Sequence, residues 1–303
     1  MKKIKLFQEY FDNGPSHTGT LSHEINSKDM NDLQWGPLYY NRGIKDLLTK
    51  FYFTQFNHNK SVEERFNKDI SVIINKISKD CKPFVTQFRK EKCESLIYRG
   101  VEKWSDTEVI KSQNIQDLRE KHPQYQNLFD LMMEKNTRKN RKPKDTPSSI
   151  SKMMDDAFEK KLGLRLRSQG VFGISSVGVT LHYGYPWILI PIGNFDFYWS
   201  PDVDDLWNWA ENQWDDYFQE FGEEDGNFIG NDNYDTKSNE HFKQDMEEMA
   251  SGYKKDNLKG AIQSRHEITF LCDKYLLVNS MYSDAILKWL TNEYKFENNK
   301  LIY

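Results

Sequence analysis

Apolar side chains recur at helical spacing through residues 61–81. Phe66, Ile70, Ile73, Ile74, Ile77 and Cys81 fall in steps of 4, 3, 1, 3 and 4, which puts one stripe on an α-helix. Ser61, with Glu64 three residues on, suits a capping box, and Pro83 interrupts or ends the pattern. An earlier helix is predicted over Gly43 to Phe53, and the chain up to about Asn31 reads as loop. The texture changes near Ser95, where Leu96, Ile97 and Tyr98 lead into Arg99-Gly100, the pattern of a short buried strand ending at a basic residue. A polar helical stretch is expected around 106–134, followed by a basic loop over 135–145. Thr146-Pro147 then opens a helix whose apolar face is Ile150, Met153, Met154, Ala157 and Phe158, with Gly163 near its end.

Residues 164–200 read as β-rich, with glycines punctuating short apolar runs. Trp187 to Ile190 forms a continuous apolar strand pattern, and Phe195, Phe197 and Trp199 alternate with Asp196 and Tyr198. Val203, Leu206, Trp207, Ala210, Trp214, Tyr217, Phe218 and Phe221 return to helical steps, with most acids off the stripe. An amphipathic helix with a solvated face accounts for this better than an aromatic ligand box. Gly222 to Glu240 is polar and predicts a loop, Glu267 to Val278 a strand or hairpin, and about 282–294 a terminal helix. The fold class that follows is α+β, with a mainly helical region over 1–94 and a mixed region over 95–303 that carries an acidic insertion at 202–258.

The chain has 303 residues, a net charge of −4, 29% charged residues and 14% aromatics. That balance excludes a multipass membrane protein and a collagen-like chain, and so many aromatics argue against wholesale disorder. Three scattered cysteines, Cys81, Cys93 and Cys272, exclude a disulfide scaffold. The first residues lack the apolar run of a secretory signal, and the longest apolar stretch, Pro186 to Phe197, is broken by Gly193, Asn194 and Asp196. A reduced, soluble, cytoplasmic protein without membrane partners is expected. Charge is unevenly spread: Lys135, Arg138, Lys139, Arg141, Lys142 and Lys144 cluster, whereas 202–248 is strongly acidic. A uniformly basic nucleic-acid coat is thereby excluded, but a local basic contact is not.

There is no phosphate-binding P-loop, zinc-protease helix or nucleophile elbow, and Gly170-Val-Phe-Gly173 lacks the third glycine of a dinucleotide fingerprint. Asp202-Val-Asp204-Asp205 offers either divalent-metal ligands or helix capping, and its place before the amphipathic helix favours capping. His266 and Cys272 lack partners at ligand spacing, so no metal site is expected. Three pieces remain, in order: Leu96-Ile-Tyr-Arg99-Gly100; Gly170-Val-Phe172-Gly-Ile174-Ser175-Ser176; and Gln263-Ser-Arg265-His-Glu267-Ile-Thr-Phe270. A strand-end arginine suits a phosphate, small hydroxyl residues suit close approach, and a Glu opening an apolar strand is either exposed or aimed into a cleft.

In residue types and order the trio resembles the Arg–Ser–Glu class of mono-ADP-ribosyltransferases, which includes cholera-toxin-like, clostridial-toxin-like and vertebrate enzymes. Small virus-encoded members are the nearest analogy, with the host cytoplasm as compartment. The likeness covers about 95–280 and implies a split β-sandwich with flanking helices after the N-terminal helical region. It implies NAD as substrate, with Arg99, Gly100, Phe172, Ser175 and Ser176 on the cofactor side and Glu267 as catalytic carboxylate. ADP-ribose would pass to a host protein or nucleic-acid acceptor, with nicotinamide released. Two positions depart from the pattern: Ile174 stands where the first serine belongs, and Arg265 where a Glu or Gln guides the acceptor. They keep open a catalytically degenerate interaction module, such as a virus-encoded inhibitor of a host protein, and an NAD glycohydrolase is a third reading.

Overall fold

The computed structural model describes residues 62–101, 130–141, 148–221, 236–293, 295–297 and 300–302. In chain order these form α1 (Val62–Asp80), α2 (Lys82–Lys90), β1 (Tyr98–Val101), β2 (Met132–Asn136), α3 (Ser148–Leu162) and α4 (Leu166–Gln169). There follow β3 (Val171–Gly173), α5 (Val177–Tyr183), β4 (Tyr185–Ile192), β5 (Asp196–Trp199), α6 (Leu206–Phe221) and α7 (Thr236–Ser251). Last come α8 (Leu258–Ser264), β6 (Ile268–Leu271), β7 (Lys274–Asn279), a 3-10 turn (Ser280–Tyr282), α9 (Ser283–Leu290), β8 (Lys295–Glu297) and β9 (Lys300–Ile302). The fold is therefore mixed α+β.

Antiparallel pairing builds a four-stranded sheet, β1-β4-β7-β2, a three-stranded sheet, β3-β6-β5, and the hairpin β8-β9. The two larger sheets are joined where Tyr98 and Ile174 exchange both backbone bonds at 2.8 Å. β4 is buried along nearly its whole length, as expected of a strand covered on both faces. It also holds two prolines. Pro186 pairs only with β1 and Pro191 only with β7, so each missing N–H falls where one neighbour is absent.

The predicted stripe of α1 is observed, with Ile70, Ile73, Ile74 and Ile77 all fully buried. Pro83 both ends that pattern and starts α2 at its first turn, and α2 buries Phe84, Val85 and Phe88. These side chains share one core with Leu189, Ile190 and Phe270 from both sheets. Residue 94 is therefore no boundary between cores. A second cluster lies beneath α3, α6 and α7, where Met154, Phe158, Leu206, Phe242 and Met246 pack against Phe172 and Tyr198.

Several local expectations change. Residues 132–134 are strand, not helix, because β2 pairs along its full length with β7, from Met132 opposite Val278 to Asn136 opposite Lys274. Tertiary pairing overrides a weak local preference there. Residues 177–183 are helical inside the stretch read as β-rich, started by Ser176, whose carbonyl accepts from Thr180 N at 3.1 Å. Residues 236–240 begin α7 rather than closing a loop. Glu267 to Val278 is no hairpin: β6 joins one sheet and β7 the other. The helix expected at 43–53, the Ser61 cap, the helical stretch up to 129, Thr146-Pro147 and residues 222–235 lie outside the described residues. Among the described residues no helix is long and apolar enough to cross a membrane.

Candidate active site

Arg99 lies on β1, opposite Trp187 of β4. Its neighbour Gly100 is there for space. A Cβ at that position would stand 2.7 Å from the backbone and Cβ of Tyr183 and 2.8 Å from the Thr180 carbonyl. Gly184 answers from the other side with φ +137, and a Cβ there would meet the Val101 backbone at 2.8 Å. The two glycines let the end of α5 lie directly on β1, with Tyr183 against Gly100. Gly100 thus shapes the site through close packing.

Phe172 gathers three cations. Its carbonyl accepts from Arg99 Nη1 at 2.8 Å. Its ring carries two more guanidiniums, Arg141 at 4.9 Å and Arg167 at 5.1 Å from the centroid. Arg141 is brought in by a bond from its backbone N–H to the Ser168 carbonyl at 3.1 Å, which ties the basic segment to α4. Burial, followed by the neighbouring charges of Arg99 and Arg167, pushes the Arg141 guanidinium down to about 10. Burial also lowers Arg99, against the opposing pull of Tyr275 and Glu267.

Glu267 immediately precedes β6, and its backbone N–H donates to the Asp204 carbonyl at 2.7 Å. The residue keeps some accessible surface, but its Oε1 is enclosed by protein. Oε1 has neither solvent nor a hydrogen-bond partner. Burial pushes the carboxyl up to about 7; the charges of Arg167, Arg141 and Arg99 oppose this, and Asp205 adds to it. Arg99 and Glu267, 168 positions apart in the chain, therefore share one electrostatic environment with Arg141, Arg167 and Asp205.

Asp205 caps α6, as its position suggested: Oδ1 accepts from the backbone of Trp207 at 2.8 Å and of Asn208 at 3.0 Å. Oδ2 accepts from the Tyr183 hydroxyl at 2.9 Å. Burial, Asp205 and Glu267 together raise the Tyr183 phenol, which stays protonated and is 46% exposed at the edge of the cluster. Tyr253 closes another side: it is buried, stacked edge-on against Phe158 at 4.9 Å, and held protonated by burial and the Glu267 charge. Among the described residues no group of three or more His, Cys, Asp or Glu side chains could hold a metal ion.

Of the residues singled out in the sequence, Arg99, Phe172 and Glu267 converge. The serines do not join them. Ser175 Oγ donates to the Ile262 carbonyl, and Ser176 starts α5, its Oγ accepting from Val179 N at 3.4 Å. The β3–β6 register ends at Gly173 opposite Ile268, and Ile174 pairs instead with Tyr98 of β1. Arg265 ends α8 in the left-handed conformation (φ 61) and is exposed. His266 Nδ1 contacts the Ser200 carbonyl at 2.9 Å, and Cys272 sits 3.7 Å from the Thr137 hydroxyl, both structural contacts. Gly170 and Gly173 are packing glycines, whose Cβ atoms would meet Thr269 at 2.2 Å and Ile97 at 2.7 Å.

Sequence reasoning missed Arg167, Tyr183 and Tyr253 as members of the cluster, and it treated Arg141 only as part of a charged loop. The segment Leu164-Arg-Leu-Arg167 beside the Gly170 turn held a signal, since its arginines alternate with apolar residues directly before a strand. No family model, curated protein or solved structure matches this chain.

Proposed function

We propose that the chain is an NAD-dependent mono-ADP-ribosyltransferase, its two larger sheets forming the split β-sandwich of that class. The observation that carries this reading is that Glu267, whose Oε1 is buried without a partner, shares one electrostatic environment with Arg99. NAD presents the complementary groups: a diphosphate for guanidiniums and, on the ribose bearing nicotinamide, hydroxyls and developing positive charge for a carboxylate. As the ribose C1′–nitrogen bond breaks, its electron pair leaves with nicotinamide and positive charge grows on the sugar. An ionised Glu267 interacts more strongly with that species than with ground-state NAD, which lowers the barrier. The acceptor's nucleophile then bonds to C1′ and loses its proton. Arg99 fixes the diphosphate, so little orientational freedom is left to be lost. The cationic nicotinamide itself draws Glu267 towards its ionised form.

Asp205 supplies the second acid beside Glu267 that Arg265 does not, and the half-exposed Tyr183 donates to Asp205. Host protein and nucleic acid both remain acceptors under this reading. A second reading, a catalytically degenerate module, is favoured by one observation: Ser175 Oγ is engaged by the Ile262 carbonyl rather than by Glu267.

The test is nicotinamide release from NAD by the parent chain and by Glu267→Ala, with and without cell lysate. Release or label transfer by the parent and almost none by the folded variant supports the transferase. Equal signals from both, or none from either, support the binding module.

A further inference from the structure

Among the described residues three arginines stack on aromatic rings, Arg89, Arg141 and Arg167. Arg89 lies 4.9 Å from the Trp289 centroid and donates to the carbonyls of Trp289 at 2.9 Å and Leu290 at 3.1 Å. That is a guanidinium used for structure, with both Nε and Nη2 donating to carbonyls. Arg165 gives a second standard: at the surface it meets Glu159 at 2.8 Å and Asp156 at 3.4 Å. Arg141 has the stacking without the bonds, because its Nη1 is buried and lacks any partner. A buried charged donor left bare destabilises the folded chain, and a native protein keeps one where something else supplies the acceptor.

We infer that Arg141 and Arg167, gathered with Arg99 around Phe172, form a binding site for a diphosphate group. The inference deepens the reading above and rests on it for naming a dinucleotide as the source of that group. Three positive groups converge here. Asp205 is engaged by the α6 amides and Tyr183, and Glu267 is held partly protonated by its burial. Arg141 stays charged at neutral pH although Arg99 and Arg167 both oppose its charge. An anion with several oxygens on adjacent phosphorus atoms relieves this repulsion and offers an acceptor to each planar fork.

The experiment is calorimetry with inorganic pyrophosphate, ADP-ribose and NAD on the full chain, its Arg141→Gln, Arg141→Lys and Arg167→Gln variants, with melting curves of each unliganded protein. The parent is expected to bind pyrophosphate and ADP-ribose. Arg141→Gln and Arg167→Gln should each weaken both at least tenfold, and Arg141→Lys should fall between. Unliganded Arg141→Gln should melt no lower than the parent, because two repulsions leave with the charge; a merely structural arginine predicts the opposite. Should Arg141→Gln fail to fold, Arg167→Gln carries the same expectation for affinity. Unchanged affinities in these variants, or no binding of pyrophosphate and ADP-ribose by the parent, overturn the site. Arg141-dependent pyrophosphate binding without NAD turnover overturns the transferase and leaves the site standing. NAD turnover with normal affinity in both glutamine variants overturns the site alone.

Discussion

Replacing Glu267 with Gln removes a carboxylate that the fold encloses without giving both its oxygens partners, while keeping the side chain's size. The native state raises this carboxyl from 4.5 to about 7, chiefly by burial. The native chain therefore binds the proton more tightly than the unfolded chain does. Below the unfolded value both states are protonated and Glu267 carries no penalty. As pH rises from about 4.5 to about 7 the unfolded chain ionises first, and native stability falls. At about 1.4 kcal/mol per unit of pKa, the accumulated penalty above pH 7 is about 3 kcal/mol. Gln does not titrate, so urea unfolding at pH 5, 6, 7 and 8 should show the variant gaining on the parent with each step, towards about 3 kcal/mol at pH 8. A stabilising substitution that abolishes turnover marks a group kept for chemistry at the fold's expense. A constant difference across this range, or a variant less stable than the parent at pH 8, refutes the enclosure and electrostatics described for Glu267.

Asp205→Ala removes the α6 cap, which should lower stability by about 1 kcal/mol in thermal melts. It also removes a negative charge acting on Glu267, so the acidic limb of the kcat/KM profile for nicotinamide release should move to lower pH; an unmoved limb contradicts the coupling. In the parent that limb should rise through an apparent pKa of about 7, because the proposed chemistry needs the ionised carboxylate. Gly100→Ala places a Cβ 2.7 Å from Tyr183 and should destabilise by about 1–3 kcal/mol in urea melts, with a loss of turnover as Tyr183 is forced off β1.

The parts of this molecule that were legible in its sequence were local. The isoleucine stripe of α1, the apolar run of β4 and the capping position of Asp205 are each fixed by side chains a few residues apart, and each is found. Arg99 and Glu267 were legible by type and position, as a charge at the edge of an apolar strand. What surrounds them was not. Phe172 collects guanidiniums from β1, from the segment after β2 and from α4, a meeting set by sheet topology rather than spacing. Ser175 looked suited to the carboxylate because hydroxyls follow the strand. The chain instead pairs Ile174 with Tyr98 of β1 and turns Ser175 to the Ile262 carbonyl, and spacing alone does not disclose either partner. The same holds for 267–278, where an apolar run does not disclose that the chain changes sheets within it.

One titration addresses the convergence of Arg99 and Glu267 on a single dinucleotide: calorimetry with NAD on the parent, Arg99→Ala and Glu267→Gln, with nicotinamide followed in the same samples. The parent should bind NAD. Arg99→Ala should bind it about 10- to 100-fold more weakly, the loss of charge-assisted bonds of about 1.5–3 kcal/mol. Glu267→Gln should bind NAD as the parent does and release almost no nicotinamide. Unchanged affinity in Arg99→Ala, or parent-like release by Glu267→Gln, contradicts a shared site.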